Sequence, residues 1–415
     1  MDVRALFDRN AERLNALYAG IDQYPRYNAL VEAFREKFES EPECFVSAPG
    51  RTEVVGNHTD HQKGRCLAGA VNLDTVAAIA ANGTNVVRLY SEGYDKSFDV
   101  DLSDLSVHED EKNTTFSLIR GVAARLVELG YKVGGFNAQV TSTVFKGSGL
   151  SSSAAFEVML VAAFDALFNG WVIDAKLNAR ISQYAENVYF GKPSGLLDQT
   201  ASAVGSLVYL DFGPEIAEVE GISYDFGKKG YSLCVVSAGG DHGDLTDAYA
   251  SITVEMRQVA ANMGATLLEK ITPEELEEAL PKLKNVVPDR AILRAFHFVD
   301  ETRRVVDAVN ALKADDVNAF FDCVIGSGES SWKLLQNLHV EGGTNQEMPL
   351  ALEMSRRMLS GKGAWRIHGG GFAGTILAFV PSNMVEKYSC AMNAVFGENA
   401  TTVLSIRPEG VVCIR

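Results

Sequence analysis

Strand-like segments crowd the first half of this chain, and from about Leu245 to Leu359 it reads largely as helix. Strands are predicted at Phe45–Ser47, Arg51–Val55, Thr75–Ala81 and Val86–Ser91, the last leading towards the alternating "KSFDVDL". Further strands follow at "FNAQVTST", "GSLVYLDF" and "YSLCVVSA". Helices are predicted up to about Glu41, at Thr115–Leu129 and Ser152–Phe168, and from Ala175 to about Tyr189. Near the end, "AWRIHGGGFAGTILAFV" reads as strand, glycine turn, then strand or helix, and "SIRPEGVVCIR" closes as a strand. There is no β-α alternation and no repeat. That order predicts an α+β chain of two lobes.

At 415 residues the chain has ample material for two or three domains. A formal charge of −16 argues against nucleic acid or anionic membrane surfaces as partners. An anionic ligand must then be held locally, by backbone amides or a few placed cations. The six cysteines are scattered with no C-x-x-C pair, which reads as buried thiols in a reducing compartment. The N-terminal "MDVRALFDRNAERLNALYAG" is an amphipathic helix and not a signal peptide. No window approaches the roughly 18 uninterrupted apolar residues of a membrane span. A cytoplasmic protein is expected.

Four stretches carry chemistry. "GRTEVVGNHTDHQKG", Gly50 to Gly64, leaves a strand through more hydrogen-bonding side chains than a turn needs. A polar loop, or a metal site at His58, Asp60 and His61, is the plain alternative. In "FKGSGLSSSAAFEVMLVAAF", Gly147 and Gly149 permit a tight turn and close backbone approach, and Ser151, Ser152 and Ser153 open an apolar, alanine-rich helix. A glycine loop feeding a helix N-terminus offers N–H groups and the positive dipole end to phosphate. The pattern is not Walker A, and an ordinary serine-capped helix is the alternative. In "AENVYFGKPSGLLDQTASAVG", Glu186 ends a helix, and Asp198 follows in a largely apolar setting, either as a helix cap or as a working acid. The fourth stretch, Gly369 to Gly374, turns sharply or approaches something closely.

Taken together, in order and spacing, these stretches resemble the GHMP small-molecule kinases, and within them the galactokinases, over about Cys44 to Arg415. Family members read Gly-Arg-x-Asn-Leu-Ile-Gly-Glu-His-Thr-Asp-Tyr where this chain has "GRTEVVGNHTDH". The family's Gly-x-Gly-Leu-Ser-Ser-Ser-Ala is matched outright by "GSGLSSSA", Gly147–Ala154. "GLLDQ" and "GGGFAG" stand for Gly-Ile-Met-Asp-Gln and Gly-Ala-Gly-Phe-Gly-Gly. The resemblance implies a two-lobed GHMP kinase fold with the active site in the cleft between lobes. It implies a helical extension over 1–43, an N-terminal lobe over 44–205 to which 403–415 return, and a C-terminal lobe over 206–402.

The function so implied is ATP-dependent phosphorylation of galactose at its C1 hydroxyl, with ATP and Mg²⁺ as cofactors, no partner beyond sugar and ATP, and a monomeric state. Asp198 would be the base and Arg51 the electrostatic stabiliser. Gly147, Ser148, Gly149, Leu150, Ser151, Ser152 and Ser153 would wrap the phosphates. Ser153 and Glu186 would hold the metal. Asn57, His58, Thr59, Asp60, Gly195 and Tyr249 would bind the sugar. The chain departs from the family at Glu53, Asn57, His61, Phe145, Gly370 and Ala373. Asn57 replaces a charged acceptor with a neutral amide, so kinases for galacturonate or N-acetylgalactosamine are the alternatives. His61 would be the nearest, partly charged cation to such a carboxylate. A catalytically silent sugar sensor is the reading from a different class, and the intact serine loop, Arg51, Glu186 and Asp198 speak against it.

Overall fold

The structure is a computed structural model that describes residues 1–144, 149–239, 245–338, 344, 346–372 and 374–415, without the side chain of Thr246. Contacts divide the chain into two compact units: 1–51, 69–206 and 406–415 form the first, and 52–68 with 207–405 the second.

The first unit opens with helices α1 (Val3–Arg9), α2 (Ala11–Leu17) and α3 (Tyr24–Phe38). Strands β1 (Cys44–Val55) and β2 (Arg65–Ala81) pass from one unit into the other, and β3 (Val86–Ser91), β4 (Phe98–Asp101) and β5 (Phe136–Ser142) belong to the first. Helix α4 (Thr115–Glu128) precedes β5; α5 (Ser152–Phe164), α6 (Ala175–Tyr184) and α7 (Leu197–Val204) follow it. The second unit contains β6 (Leu207–Asp211), β7 (Glu218–Ile222) and β8 (Tyr231–Ser237). Next come α8 (Thr246–Asn262), α9 (Pro273–Leu283), α10 (Asp289–Lys313), α11 (Val317–Ser330) and α12 (Glu347–Leu359). It closes with β9 (Ala364–Ile367), β10 (Thr375–Pro381), α13 (Val385–Phe396) and β11 (Thr401–Leu404), after which β12 (Val412–Ile414) returns to the first unit.

In the first unit the strands run in the order β12–β1–β2–β5–β3–β4. Most neighbours are antiparallel, with Val46 opposite Cys413 and Ile79 opposite Ala138, while β3 and β5 are parallel at Leu89 and Ala138. One face packs on α4 to α6 through Val46, Ile79, Leu89, Val122, Val158 and Phe164. The other packs on α1 to α3, where Leu6, Leu17, Tyr27 and Phe34 meet Phe45, Val76, Ala78 and Ile414. The first forty residues therefore supply half the cover of this sheet. Strands of a sheet covered on both faces read as continuous apolar runs, as β2 does in "VAAIAA". The second unit holds the sheet β11–β8–β10–β9, with Ala378 opposite both Cys234 and Trp365.

Several boundaries differ from the sequence reading, each for a physical reason. The strand is unbroken from Cys44 to Val55, although Pro49–Gly50 resembles punctuation. Gly50 is there for closeness: a Cβ on it would lie 2.9 Å from the carbonyl oxygen of Leu150. The segment after the glycine turn is strand, β10, and α13 and β11 are elements that the sequence reading does not name. Helices α5 and α6 end in π-helical turns, Asp165–Asn169 and Ala185–Phe190, the second of which carries Glu186. Ser152–Asn169 is moreover 18 residues long with a mean hydropathy of 1.3, enough by length and composition to cross a membrane. It is 67% buried in the protein, the position expected of a helix that is apolar all round.

Candidate active site

The residues singled out from sequence fall into two assemblies, one in each unit. In the first, β1 ends its passage through the unit at Arg51, and α7 begins just before Asp198. The Arg51 guanidinium forks onto the Asp198 carboxylate, Nε to Oδ1 at 2.6 Å and Nη2 to Oδ2 at 2.7 Å. Two parallel charge-assisted bonds fix both planes at once. Ser151 Oγ adds a third, to Asp198 Oδ2 at 2.7 Å, and Arg51 Nη1 donates to the Gly149 carbonyl. Asp198 sits in the first turn of α7 and caps nothing; Leu196 precedes the helix without a side-chain cap. Burial pushes its carboxyl up, but the charge and hydrogen bonds of Arg51 and the Ser151 hydroxyl outweigh it, and Asp198 is held below the usual carboxylate range. The side chain is 32% exposed, so this ionised acid is open to a ligand.

Ser151, in a left-handed conformation, and Ser152 and Ser153 start α5, with Leu150 buried beneath. Gly147 and Ser148 lie outside the described residues. Ser153 Oγ donates to Glu186 Oε1 at 3.4 Å, and Lys192 Nζ lies 3.1 Å from the same oxygen. The other Glu186 oxygen accepts from Gln199 Nε2 at 2.8 Å. Gln199 also donates to Glu157 Oε2 at 3.0 Å, one turn of helix beyond Ser153. Burial, then the charge of Glu186, raises the Glu157 carboxyl well above its ordinary range. Beside the serines is a cavity of about 520 Å³ lined by Leu89, Tyr94, Phe98, Phe156 and Phe190 together with Ser152 and Ser153. Its volume and aromatic walls suit a nucleoside. Gly195 lies in the exposed loop before α7. Lys192, Glu157 and the cavity were missed from sequence, and Gln199 was quoted only as the end of "GLLDQ", with no role given to it; Lys192 likewise stands in the quoted "GKPSG".

In the second unit the loop after β1 is held from beneath. Glu301 of α10, fully buried, accepts the N–H groups of Gly56 and Asn57 at 2.9 and 3.3 Å on Oε1. Ser327 and Arg304 complete its shell. Burial pushes the Glu301 carboxyl up, and His297, Arg304 and Arg366 pull it down further, to about 2. His297 Nε2 donates to the Asn57 carbonyl at 2.8 Å.

Asn57 itself is completely buried and its amide is spent on protein. Nδ2 donates to Glu53 Oε1 at 2.9 Å and to the Gly369 carbonyl at 2.7 Å, and Oδ1 accepts from Asn337 at 2.8 Å. Arg366, also buried, reaches the same Glu53 oxygen at 3.0 Å. The Thr59 hydroxyl likewise closes the loop, donating to the Arg65 carbonyl at 2.6 Å. His58, at φ 55°, donates from Nε2 to the Gly370 carbonyl at 2.7 Å, and the Tyr249 hydroxyl donates to the Gly371 carbonyl at 2.6 Å. At Gly370 a Cβ would meet the Tyr249 ring at 2.8 Å, so a larger residue there would displace that ring. Asp60 opens a short 3₁₀ turn, with Oδ1 on the His61 N–H at 2.9 Å. His61 is not the partly charged cation expected: burial, then the neighbouring His58, lowers it to about 3, so it is neutral at pH 7. Among the described residues no group of three or more His, Cys, Asp or Glu could hold a metal ion.

Comparison with known proteins bears on both assemblies. A family model described as the galactokinase galactose-binding signature matches residues 32–81, and one for the GHMP kinase N-terminal domain matches 117–206. A galactokinase of Streptomyces coelicolor is 31% identical over 88% of this chain and 92% of its own length. One from Glaesserella parasuis is 29% identical over 92% and 95%. Among solved structures, Lactococcus lactis galactokinase complexed with galactose aligns over 93% of this chain and 99% of its own, with a TM-score of 0.80 at 22% identity. Methanococcus jannaschii mevalonate kinase aligns over 87% and 98%, with a TM-score of 0.62 at 16% identity. At those identities the two structures speak for the fold alone, which is that of the GHMP kinases.

Proposed function

This chain belongs to the galactokinase family of sugar kinases, and from that premise we propose that it transfers the γ-phosphoryl group of ATP to the C1 hydroxyl of galactose. The observation that carries the reading is the forked Arg51–Asp198 pair, with Ser151 of the serine loop on the same carboxylate. Asp198 accepts the C1 hydroxyl proton. The oxygen's electron pair then forms the new P–O bond as the bond to the β,γ-bridging oxygen breaks and ADP leaves. Arg51 keeps the base ionised and offsets charge on the transferring group. The helix N-terminus at Ser151 to Ser153 receives phosphate oxygens, and the aromatic cavity beside it receives the nucleoside.

Mg²⁺ takes few protein oxygens and completes its shell with phosphate and water. Glu186 Oε1 and Ser153 Oγ fit that demand: both are hard oxygen donors, already on one another, with a lysine ammonium where positive charge is wanted. A bound Mg²⁺ would neutralise phosphate charge there. His58, Asp60, Gly195 and Tyr249 serve the sugar hydroxyls. Asn57 and Thr59 act through the shape of the loop, because their polar atoms are already bonded within it. A carboxylate at C6 finds little welcome, since Glu53 is an acid beside Asn57 and His61 is neutral.

The test is an ADP-release assay over galactose, galacturonate, N-acetylgalactosamine, arabinose and glucose. Galactose is expected to give the highest kcat/KM. Preference for galacturonate overturns the substrate, and no ADP release with any sugar overturns the kinase reading in favour of a sensor.

A further inference from the structure

We propose that Gln199 is a positioning residue that occupies one oxygen of Glu186, leaving a metal only the other, and so sets which divalent cation the site prefers; this rests on the reading that Glu186 holds the metal. Gln199 is fully buried, and both its amide hydrogens are committed, one to Glu157 Oε2 at 3.0 Å and one to Glu186 Oε2 at 2.8 Å. The opposite amide orientation would set a carbonyl oxygen against the lysine-paired Glu186 carboxylate, which cannot donate, so the donor assignment follows from Glu186. With Oε2 occupied, only Oε1 faces Ser153 and Lys192.

The consequence is one of coordination geometry. Mg²⁺ demands near-octahedral sites and short distances, which a one-oxygen carboxylate satisfies. Ca²⁺ is larger and is well served by a carboxylate that grips with both oxygens. Gln199 withholds the second oxygen. Glu157 is its anchor: the bond from the far side stops the amide from swinging, and α5, which carries Glu157, also carries Ser153. The donor on α7, the acid on the π-helical turn after α6 and the hydroxyl on α5 are thereby tied to one another.

The experiment measures binding of a fluorescent, non-hydrolysable ATP analogue to the full chain as Mg²⁺ or Ca²⁺ is titrated, without sugar. Gln199→Met keeps the length and removes both donors. It should raise the Mg²⁺ concentration for half-maximal binding by roughly tenfold to a hundredfold, the usual cost of losing a partner of a metal ligand. The Ca²⁺ requirement should stay level or fall. A folded Gln199→Met with an unchanged Mg²⁺-to-Ca²⁺ ratio overturns the proposal. Because this variant leaves Glu157 without its donor in the core, Glu157→Leu/Gln199→Met replaces both polar groups and should show the same shift; the same null result there is equally fatal. Glu186→Gln separates the two levels of inference. If it leaves both cation requirements unaltered, Glu186 is not a ligand and the underlying reading fails; if it moves them and the Gln199 variants do not, only the role of Gln199 fails.

Discussion

Asp198 is the residue on which the proposed chemistry turns, and its surroundings make a specific demand. Arg51 donates twice to the carboxylate and Ser151 once, which favours the charged form over the neutral one. A carboxyl held below its usual range stays ionised as pH falls, and loses its base function only when pH drops through that lowered value. Turnover should therefore have no inflection between pH 5 and pH 8 that belongs to this group. Asp198→Asn keeps the shape, loses the charge and sets an amide against the Arg51 fork. It is expected to lower kcat by about 10²–10⁴-fold, the range for removal of a general base, while equilibrium binding of the nucleotide changes by a few fold. Near-full turnover in single-turnover kinetics would falsify the assignment of Asp198 as base.

The loop that leaves β1 belongs to the scale of the element, because its conformation is imposed by α10 and by the strands next to it. Glu301 takes two of its N–H groups, His297 takes a carbonyl, and Arg366 anchors Glu53 and donates from Nη1 to the Val54 carbonyl at 2.6 Å. Inside this frame Asn57 and Glu53 form an amide–carboxylate pair with almost no access to water. Asn57→Glu replaces the donor with a second acid at hydrogen-bond distance from the first. Glu53 keeps Arg366 but loses the amide donor and faces a like charge in a buried frame, at a cost of about 1–3 kcal/mol or more for a charged group. We expect a lower Tm and a weaker galactose KM, and not the simple gain in sugar selectivity that an exposed glutamate would bring. Combining it with Glu53→Gln restores an acid facing an amide, and should recover at least half of the lost stability. Thermal unfolding of the two variants decides this: a double variant no more stable than Asn57→Glu would remove the pair from the account.

At the scale of the whole chain, the first unit is closed by its own ends. Asp74 of β2 is fully buried and receives Arg26 of α3 at 2.6 Å, Arg407 at 3.1 Å, the Tyr18 hydroxyl at 2.6 Å and the hydroxyl of Ser47. Burial raises its carboxyl, and the two guanidiniums with the hydroxyls more than reverse that. One acid thus ties the N-terminal helices to the segment that returns more than 300 residues later, 333 positions from Asp74 to Arg407. Removing one partner from such a cluster strands buried charge, which typically costs about 3–5 kcal/mol. Arg407→Met should lower the urea midpoint by that equivalent while leaving the m-value, and so the surface exposed on unfolding, unchanged. A variant as stable as the natural chain would show that Arg26 and Tyr18 suffice.

What the sequence determined by itself is what local chemistry determines. Glycines and serines before an apolar helix announce a phosphate-type turn wherever they stand, and a loop of Asn, His, Thr and Asp after a strand announces a ligand-facing loop or a well-bonded one. The order of those stretches carried the family and the α+β class. It could not say which of the loop's side chains face outward. Asn57 and Thr59 are polar in sequence and sealed in structure, because their partners come from Glu53, Asn337, Gly369 and Arg65. Nor could it find the buried acids. Glu301 lies 245 positions from the N–H group it receives, and Glu157 sits in an apolar helix where nothing nearby in sequence marks its carboxyl as raised. Such groups are specified by desolvation and by partners at long range, and both exist only once the chain has folded.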